Sequence, residues 1–262
     1  MNISDIKGAL WDKTVNRLVT VNVAVFVIMT VGSLIAPAAG YDSAVWVSQF
    51  ALPSAPLSAM TRPWTALLYM VSHANVVHLL FNMLWLYCFG RLLESASTGR
   101  MVVTAYVSGG LVGGIAYVCI WSLVGSAAGV LLGASAAVIS VAVALAVRVP
   151  DMKVNMMIIG PVAIKWVVAV VLVLFGIGLA GANMGGNIAH LAGAATGLIV
   201  GLSKKIGRER ARRVGAGEAS APFTAADRAE LDRLLDKVRH SGYASLSAAE
   251  RRRLFDISGR IK

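Results

Sequence analysis

The chain has few of the residues from which soluble domains and metal sites are built. Only 14% of its 262 residues are charged, whereas 57% are hydrophobic, and soluble domains have about a quarter charged residues. Its two cysteines, Cys88 and Cys119, both fall in apolar segments, so we interpret them as small buried hydrophobic residues rather than a disulfide or a metal pair. A single core cannot bury this many apolar side chains. We therefore expect lipid to be the solvent.

Acidic residues are scarce as well. Thirteen Asp and Glu stand against 24 Lys and Arg, and the formal net charge is +11. Fifteen of the basic residues lie between Lys204 and Lys262. A basic tail is compatible with nucleic-acid binding, but a cytoplasmic location explains it more simply in a membrane protein. We predict no nucleic-acid partner.

Six apolar segments are close in length to the ~20 residues that a helix needs to cross a bilayer. Backbone polar groups in lipid must be satisfied within the segment, which for these lengths requires helices. We predict an all-α membrane domain of six transmembrane helices over residues 1–203. The first segment resembles a signal peptide but is too long for one, so we expect it to be retained. The segments span residues 15–36, 72–92, 101–121, 131–149, 158–180 and 187–203.

The basic residues also predict the orientation. With the N-terminus in the cytoplasm, 23 of the 24 Lys and Arg lie on the inner side, and only Arg62 lies in an outer loop. The opposite orientation would reverse this distribution, contrary to the positive-inside rule. We therefore expect both termini in the cytoplasm, and the compact layout favours a bacterial inner membrane. The long outer loop at 37–71 contains Trp46 and Trp64, which favours a position in the membrane interface.

The C-terminal part has a different composition. Residues 204–222 are basic and rich in Gly and Ala, and we interpret them as a linker. Residues 223–262 predict a cytoplasmic helical hairpin, which is too small to bury a stable core by itself. We expect it to dock on a partner that the sequence does not identify. Two capping-box spacings predict its helix starts: Thr224 with Asp227, and Ser247 with Glu250.

Polar side chains inside membrane helices are costly and are usually functional. His78 and Asn82 in the second segment are four residues apart and therefore share one helix face. Both can donate hydrogen bonds to a single point, an arrangement that suits an oxyanion. The alternative is that they hydrogen-bond one helix to another.

Ser135 opens the fourth segment, and His190 lies near the start of the sixth. His190, Gly193, Gly197 and Gly201 follow one another at spacings of three or four, so they share a face that another helix can approach closely. If that neighbour is the fourth helix, His190 reaches Ser135 and can activate it as a base. The alternatives are a serine that only packs and a glycine contact with an incidental histidine.

Other chemistries fit less well. No carboxylate lies at a matching depth in these helices, which leaves a Ser-His dyad rather than a triad. Zinc held by His73, His78 and His190 is disfavoured, because no His-Glu-x-x-His helix and no carboxylate base accompany them. We predict no metal and no cofactor. A transporter is disfavoured because the sequence has no internal repeat.

Taken together, these motifs resemble the rhomboid family of intramembrane serine proteases over about residues 15–203. The resemblance implies a six-helix bundle in which Ser135 is the nucleophile and His190 the base. It implies that His78 and Asn82 stabilise the oxyanion, that His73 helps to hold water, and that the substrates are transmembrane proteins cut near the outer face. The motifs are His73-x4-His78-x3-Asn82, Gly133-x-Ser135 and Ala189-His190-x2-Gly193-x3-Gly197.

Two residues depart from the family pattern. Ala136 follows the serine where the family usually has glycine, and Ile139 replaces a tyrosine that stacks on the catalytic histidine in many members. We expect Ala136 to narrow the oxyanion site by one methyl group, and Ile139 to remove a support of His190. Neither change removes a reacting group, so we predict an active enzyme. The alternative is a catalytically inactive rhomboid-like binder of membrane helices.

Overall fold

The computed structural model describes residues 13–125, 129–156, 160–177, 183–218, 224–247, 249–250, 253–254 and 257. The chain divides into two compact units, Met1–Lys204 and Lys205–Lys262. Within the described residues, the first unit is mainly helical and also contains two short β-ladders.

The helices and strands are numbered in chain order. Short 3-10 turns lie at Ala36–Ala39 and Tyr69–Val71. The elements are α1 (Thr14–Ile35), α2 (Ser43–Ser48), β1 (Leu52–Pro53), α3 (Pro56–Thr61), α4 (Thr65–Leu68), α5 (Val76–Ala96), α6 (Gly99–Val124), β2 (Val130–Leu131), α7 (Ser135–Arg148), β3 (Lys153–Met156), β4 (Gly160–Ala163), α8 (Ile164–Ile177), α9 (Met184–Glu218) and α10 (Ala225–Ser241).

The first unit has the helices of a membrane protein, which confirms the all-α class. Among the described residues, four helices are long and apolar enough to cross a bilayer, and two further apolar helices are shorter. The count of six spanning helices stays a prediction. The four long helices are Thr14–Ala39, Val76–Ala96, Gly99–Val124 and Met184–Ser203, and the two shorter ones are Ser135–Arg148 and Ile164–Leu174.

Local capping explains where the long helices begin and end. Helix α5 begins four residues after the start of the second apolar segment, because the Asn75 side chain accepts a hydrogen bond from the His78 N–H at 2.8 Å and caps the helix. Thr98 caps α6 in the same way, through the Met101 N–H. Gly125 ends α6 in a left-handed conformation, φ 70°, which glycine adopts without strain.

The long loop between α1 and α5 is ordered by contacts with the membrane helices and with the segment before α7. Strand β1 pairs antiparallel with β2, with Leu52 opposite Leu131. The Trp46 indole donates to the carbonyl of Met29 in α1 at 3.0 Å. The N-terminal end of α7 is therefore tied to the loop.

The β3–β4 hairpin was not predicted. The fifth apolar segment was expected to be helical from residue 158, but Gly160–Ala163 forms a strand that pairs with Lys153–Met156. The helix starts only at Ile164. Short apolar runs have no periodicity that separates a strand from a helix. Gly160 has a positive φ of 76°, which is a turn conformation and not a helical one, and it lies where the helix was expected to begin.

The prediction that the two cysteines are buried is wrong. Cys88 and Cys119 are both free, as expected, but they are exposed on α5 and α6. In a membrane protein the outward face of a helix contacts lipid and is apolar too. Apolar neighbours in sequence therefore do not distinguish a core position from a lipid-facing one.

The backbone is helical beyond the last apolar segment, since α9 continues to Glu218 through most of the predicted linker. The second unit contains α10, which starts with the expected capping box of Thr224 and Asp227. Ser247 and Glu250 cap the next turn, with the Ser247 N–H donating to Glu250 at 2.8 Å. Much of the predicted second helix lies outside the described residues.

Three apolar side chains of the second unit are buried. Leu234, Leu246 and Ile257 are at most 1% exposed. Lys237 forms an ion pair with Glu250 at 2.8 Å. That hydrogen bond is the main reason why the pKa of the Glu250 carboxyl is lowered to about 2, so this cap stays charged at neutral pH. Exposed ion pairs add little stability, so the burial of the three apolar side chains contributes more.

A buried hydrogen-bond network joins α1, the loop and α6. The Tyr106 hydroxyl donates to the Met70 carbonyl at 2.7 Å, and the Asn22 amide donates to the Tyr106 oxygen at 3.0 Å. Asn22 is fully buried, and Tyr106 is 1% exposed. Since no water competes there, each of these bonds prevents a buried polar group from being left unpaired.

We expect Tyr106→Phe to lower the free energy of unfolding by about 1–3 kcal/mol, because the Met70 carbonyl loses its donor and Asn22 is left with its bond to the Leu18 carbonyl. The measurement is the melting temperature in detergent. Tyr87→Phe is the control, since Tyr87 lies on α5 and is 50% exposed. Equal melting temperatures for the two variants would contradict a stabilising role for the network.

Candidate active site

Ser135 is the first residue of α7. The first intrahelical hydrogen bond runs from the Val138 N–H to the Ala134 carbonyl at 2.9 Å. The N–H groups of the first turn, that of Ser135 among them, therefore have no partner within the helix. The partial positive charge of a helix N-terminus also lies here. The backbone around the serine is suited to stabilise negative charge.

The structure places Ser135 next to His190. The serine Oγ lies 2.6 Å from the histidine Nε2, within hydrogen-bonding distance. His190 is in the second turn of α9, 55 residues away in sequence. Both side chains are partly buried. The geometry is that of a serine hydroxyl with an adjacent base.

The glycines of α9 allow this approach. A Cβ built on Gly193 would lie 2.3 Å from the Ala136 carbonyl oxygen, and one on Gly197 would lie 2.3 Å from the Ser140 carbonyl oxygen. Both distances are far below van der Waals contact. Moving four residues along α9, from Gly193 to Gly197, moves the contact four residues in the same direction along α7, from Ala136 to Ser140. The two helices are therefore parallel, and their backbones are in contact. Gly201 extends the contact to Val147, with a built Cβ 2.8 Å from the valine Cβ.

Ala136 does not add its methyl group to the oxyanion site as we expected. It is 2% exposed, and its Cβ points at Gly113 of α6, where a built Cβ would lie 2.8 Å away. Successive residues of a helix differ by 100° in direction, so the side chain after Ser135 faces a different neighbour. The methyl group fills space between α6 and α7 instead.

His78 and Asn82 lie close to the nucleophile without bonding to it. The His78 ring packs against Gly133, where a built Cβ would lie 2.6 Å from Cε1 and 2.9 Å from Nε2. Asn82 lines the same cavity as Ser135, and its amide donates to the His78 carbonyl at 2.9 Å. In the part of the chain that the structure describes, neither side chain hydrogen-bonds to Ser135. Their oxyanion role stays a prediction.

His73 lies behind His78. It is fully buried, and the two rings meet edge to face with centroids 5.2 Å apart. The Val71 backbone lies near the His73 ring, but neither ring nitrogen has a hydrogen bond of normal geometry. Over the described ranges, no three His, Cys, Asp or Glu side chains are grouped as metal ligands.

An apolar cavity of about 260 Å³ opens beside Ser135, between α5, α7 and α8. Its polar lining side chains are Ser135 and Asn82. Ile139, where many family members have tyrosine, forms part of the wall. The cavity therefore suits an apolar side chain next to the serine. Its other lining residues are Trp85, Phe89, Val138, Ala142, Val167, Val168, Val171, Leu172 and Leu174.

Gly133 holds the residues just before Ser135 in position. Its N–H donates to the Tyr69 carbonyl at 3.0 Å, and its φ of 129° is in a region that favours glycine. We expect Gly133→Ala to displace the His78 ring. Loss of one oxyanion donor costs about 10²–10³-fold in rate, and we expect a loss of about that size in kcat/KM for a transmembrane substrate.

Gly129→Ala is the matched control for this prediction. Gly129 also has a positive φ, 92°, but a Cβ built on it meets nothing within 4 Å. The Gly129→Ala variant therefore has a strained backbone at a positive φ but no new contact with the His78 ring. Equal losses in the two variants would show that the effect comes from strain alone.

Comparison with protein families assigns the chain. A family model described as the Rhomboid domain matches residues 60–204, which is more than half of the chain and includes every residue of the site. The chain belongs to the rhomboid family. This rhomboid protein is therefore an integral membrane protein of a family of intramembrane serine proteases. A second model, for a family of unknown function (DUF6576), matches residues 224–260. Comparison with curated proteins gives no match.

Three parts of the site were missed at the sequence level. The cavity beside Ser135 is formed by three helices that are distant in sequence. The bond between Gly133 and Tyr69 depends on the path of a long loop. Gly113 is one of several glycines on α6, and only the structure shows that it faces Ala136.

Proposed function

We propose that this rhomboid protein is an intramembrane serine endopeptidase with a dyad of Ser135 and His190. The distance of 2.6 Å between the serine Oγ and the histidine Nε2 is the observation that carries the proposal. The start of α7 adds support, because its first N–H groups have no partner within the helix and can donate to an oxyanion. Inactive relatives of the family typically lack the serine or the histidine, and both are present here.

The proposed reaction has two halves. The Ser135 Oγ attacks the scissile carbonyl carbon while His190 Nε2 takes the hydroxyl proton. The resulting oxyanion accepts hydrogen bonds from the Ser135 N–H and from the His78 and Asn82 side chains. His190 then gives its proton to the leaving amide nitrogen, and the peptide bond breaks. In the second half, His190 activates a water that hydrolyses the acyl-enzyme and restores the serine.

The substrates we propose are transmembrane proteins that enter from the bilayer. The cavity beside Ser135 is walled mainly by apolar side chains of α5, α7 and α8, which suits a segment arriving from lipid. The distribution of basic residues, with Arg62 alone outside, supports cytoplasmic termini and cleavage near the outer face. The inner membrane of a bacterium is the location we propose.

A helical substrate must unwind before it is cut, because helix carbonyls are engaged in i, i+4 hydrogen bonds. We therefore expect substrates to contain small or helix-breaking residues near the scissile bond. Replacing those residues with leucine should slow cleavage, measured as product formed in proteoliposomes. Unchanged rates after such replacements would contradict the unwinding step.

The test of the proposed function is labelling of the detergent-solubilised protein with a fluorophosphonate probe, which modifies activated serines. We expect the wild type to be labelled and Ser135→Ala to be unlabelled. Ser140→Ala is the control, since Ser140 lies on the same helix and is fully buried. A folded wild-type protein that resists labelling would favour the inactive binder of membrane helices.

A further inference from the structure

Gly113 of α6 lies against the residues that adjoin Ser135 and His190 in sequence, although it is not a member of the candidate dyad. It is buried. A Cβ built on it would lie 2.8 Å from the Ala136 Cβ and 3.0 Å from the Ala189 carbonyl oxygen. Ala136 follows the nucleophile, and Ala189 precedes the base. Gly113 is therefore next to both backbones at the point where Ser135 meets His190.

We propose that Gly113 is a positioning residue that sets the separation of Ser135 and His190, and that Gly113 and Ala136 form a matched pair. This inference rests on the proposed function. Ala136 is one of the two residues at which the chain departs from the family pattern, and its methyl group occupies the space that the missing side chain of Gly113 leaves. Glycine at 113 thus compensates for alanine at 136.

Steric limits explain why the pair must contain one glycine. Two Cβ atoms at 2.8 Å are closer than Cβ atoms come in real structures. Neither atom belongs to a flexible side chain, so the helices themselves would have to separate. Consecutive Cα atoms are 3.8 Å apart and rigidly linked, so a shift at Ala136 or Ala189 is transmitted directly to its catalytic neighbour. A misplacement of about 1 Å can cost 10²-fold in rate.

A neighbouring glycine of α6 provides a contrast. A Cβ built on Gly110 would meet the Met70 Cε and Sδ at 2.8 Å, and its three nearest atoms all belong to Met70 rather than to α7. A methionine thioether is flexible and can move. Gly110→Ala therefore introduces the same change of residue into the same helix without acting on the dyad.

The experiment compares four proteins: the wild type, Gly113→Ala, Gly110→Ala, and the double variant Gly113→Ala with Ala136→Gly. The second-order rate of fluorophosphonate labelling is measured across pH, together with the melting temperature. We expect Gly113→Ala to lower the labelling rate about 10²-fold. We also expect its pH dependence to flatten, because the serine no longer meets its base. Gly110→Ala should label like the wild type.

The double variant is the decisive arm. Removing the Ala136 methyl group relieves the closest contact of the methyl group introduced at position 113 and leaves its contact with the Ala189 carbonyl oxygen. We therefore expect the double variant to be labelled at least about tenfold faster than Gly113→Ala. A coupling of this size is typical of residues in contact. The pH dependence distinguishes positioning from packing, because a folded protein that is only less stable keeps the pH dependence of the wild type. If Gly113→Ala fails to fold, a folded and labelled double variant still supports the pair.

Three outcomes would overturn the inference. Gly113→Ala that labels as fast as a labelled wild type would show that Gly113 does not position the dyad, and would leave the proposed function standing. A folded double variant no faster than Gly113→Ala, or folded but unlabelled, would overturn the matched pair. A folded wild type that is not labelled would overturn the proposed function and this inference with it.

Discussion

His190→Ala is expected to reduce cleavage of a transmembrane substrate by roughly 10⁶-fold, the loss seen when the serine or the histidine of such a pair is removed. The Ser135 hydroxyl lies 2.6 Å from the His190 Nε2. Without the imidazole, the attack on the carbonyl has no base and the leaving amide nitrogen has no acid. The measurement is kcat/KM in proteoliposomes, with fluorophosphonate labelling as a substrate-free readout.

His240→Ala is the matched control for the His190 prediction. His240 lies on α10 and is exposed, with Nδ1 2.9 Å from the Asp236 carbonyl oxygen. We expect cleavage by this variant to equal that of the wild type. Ser135→Ala with His190→Ala should be no slower than either single variant, because residues that act as one unit are not additive. A His190→Ala protein that keeps substantial activity would contradict the dyad.

The parts of the site that follow helical periodicity were predictable. The spacing of His190, Gly193, Gly197 and Gly201 on one face depends only on 3.6 residues per turn, and the structure places the three glycines against α7. The long helices follow from hydrophobic length, so α1 at Thr14–Ile35 lies within a residue of its predicted segment. Both inferences use information within a single helix.

The parts that depend on contacts between helices were not predictable. The Ala136 methyl group was expected at the oxyanion site, but the neighbour that it faces depends on where α6 packs. The exposure of Cys88 and Cys119 depends on which helix faces meet lipid. The β3–β4 hairpin forms where an apolar run has no period. In each case the sequence gives the residue type, and the neighbouring element decides its environment.

Gly193→Ala is expected to reduce kcat/KM by about 10²-fold or more, since about 1 Å of misplacement has that effect. A Cβ at this position would lie 2.3 Å from the Ala136 carbonyl oxygen, which is backbone and cannot rotate away. The parallel helices α7 and α9 must therefore separate one residue after Ser135 and three residues after His190. The hydrogen bond of the dyad lengthens first. The melting temperature is also expected to fall, because the closest contact between the helices is lost.

Two further glycine variants distinguish positioning from packing. Gly201→Ala acts on the same helix pair at the far end, where a Cβ would lie 2.8 Å from the Val147 Cβ. It should lower the melting temperature while reducing kcat/KM much less than Gly193→Ala does. Gly176→Ala on α8 meets nothing within 4 Å and should leave both quantities unchanged. If Gly193→Ala and Gly201→Ala lose activity in proportion to their melting temperatures, the glycine contact stabilises the fold without setting the geometry of the dyad.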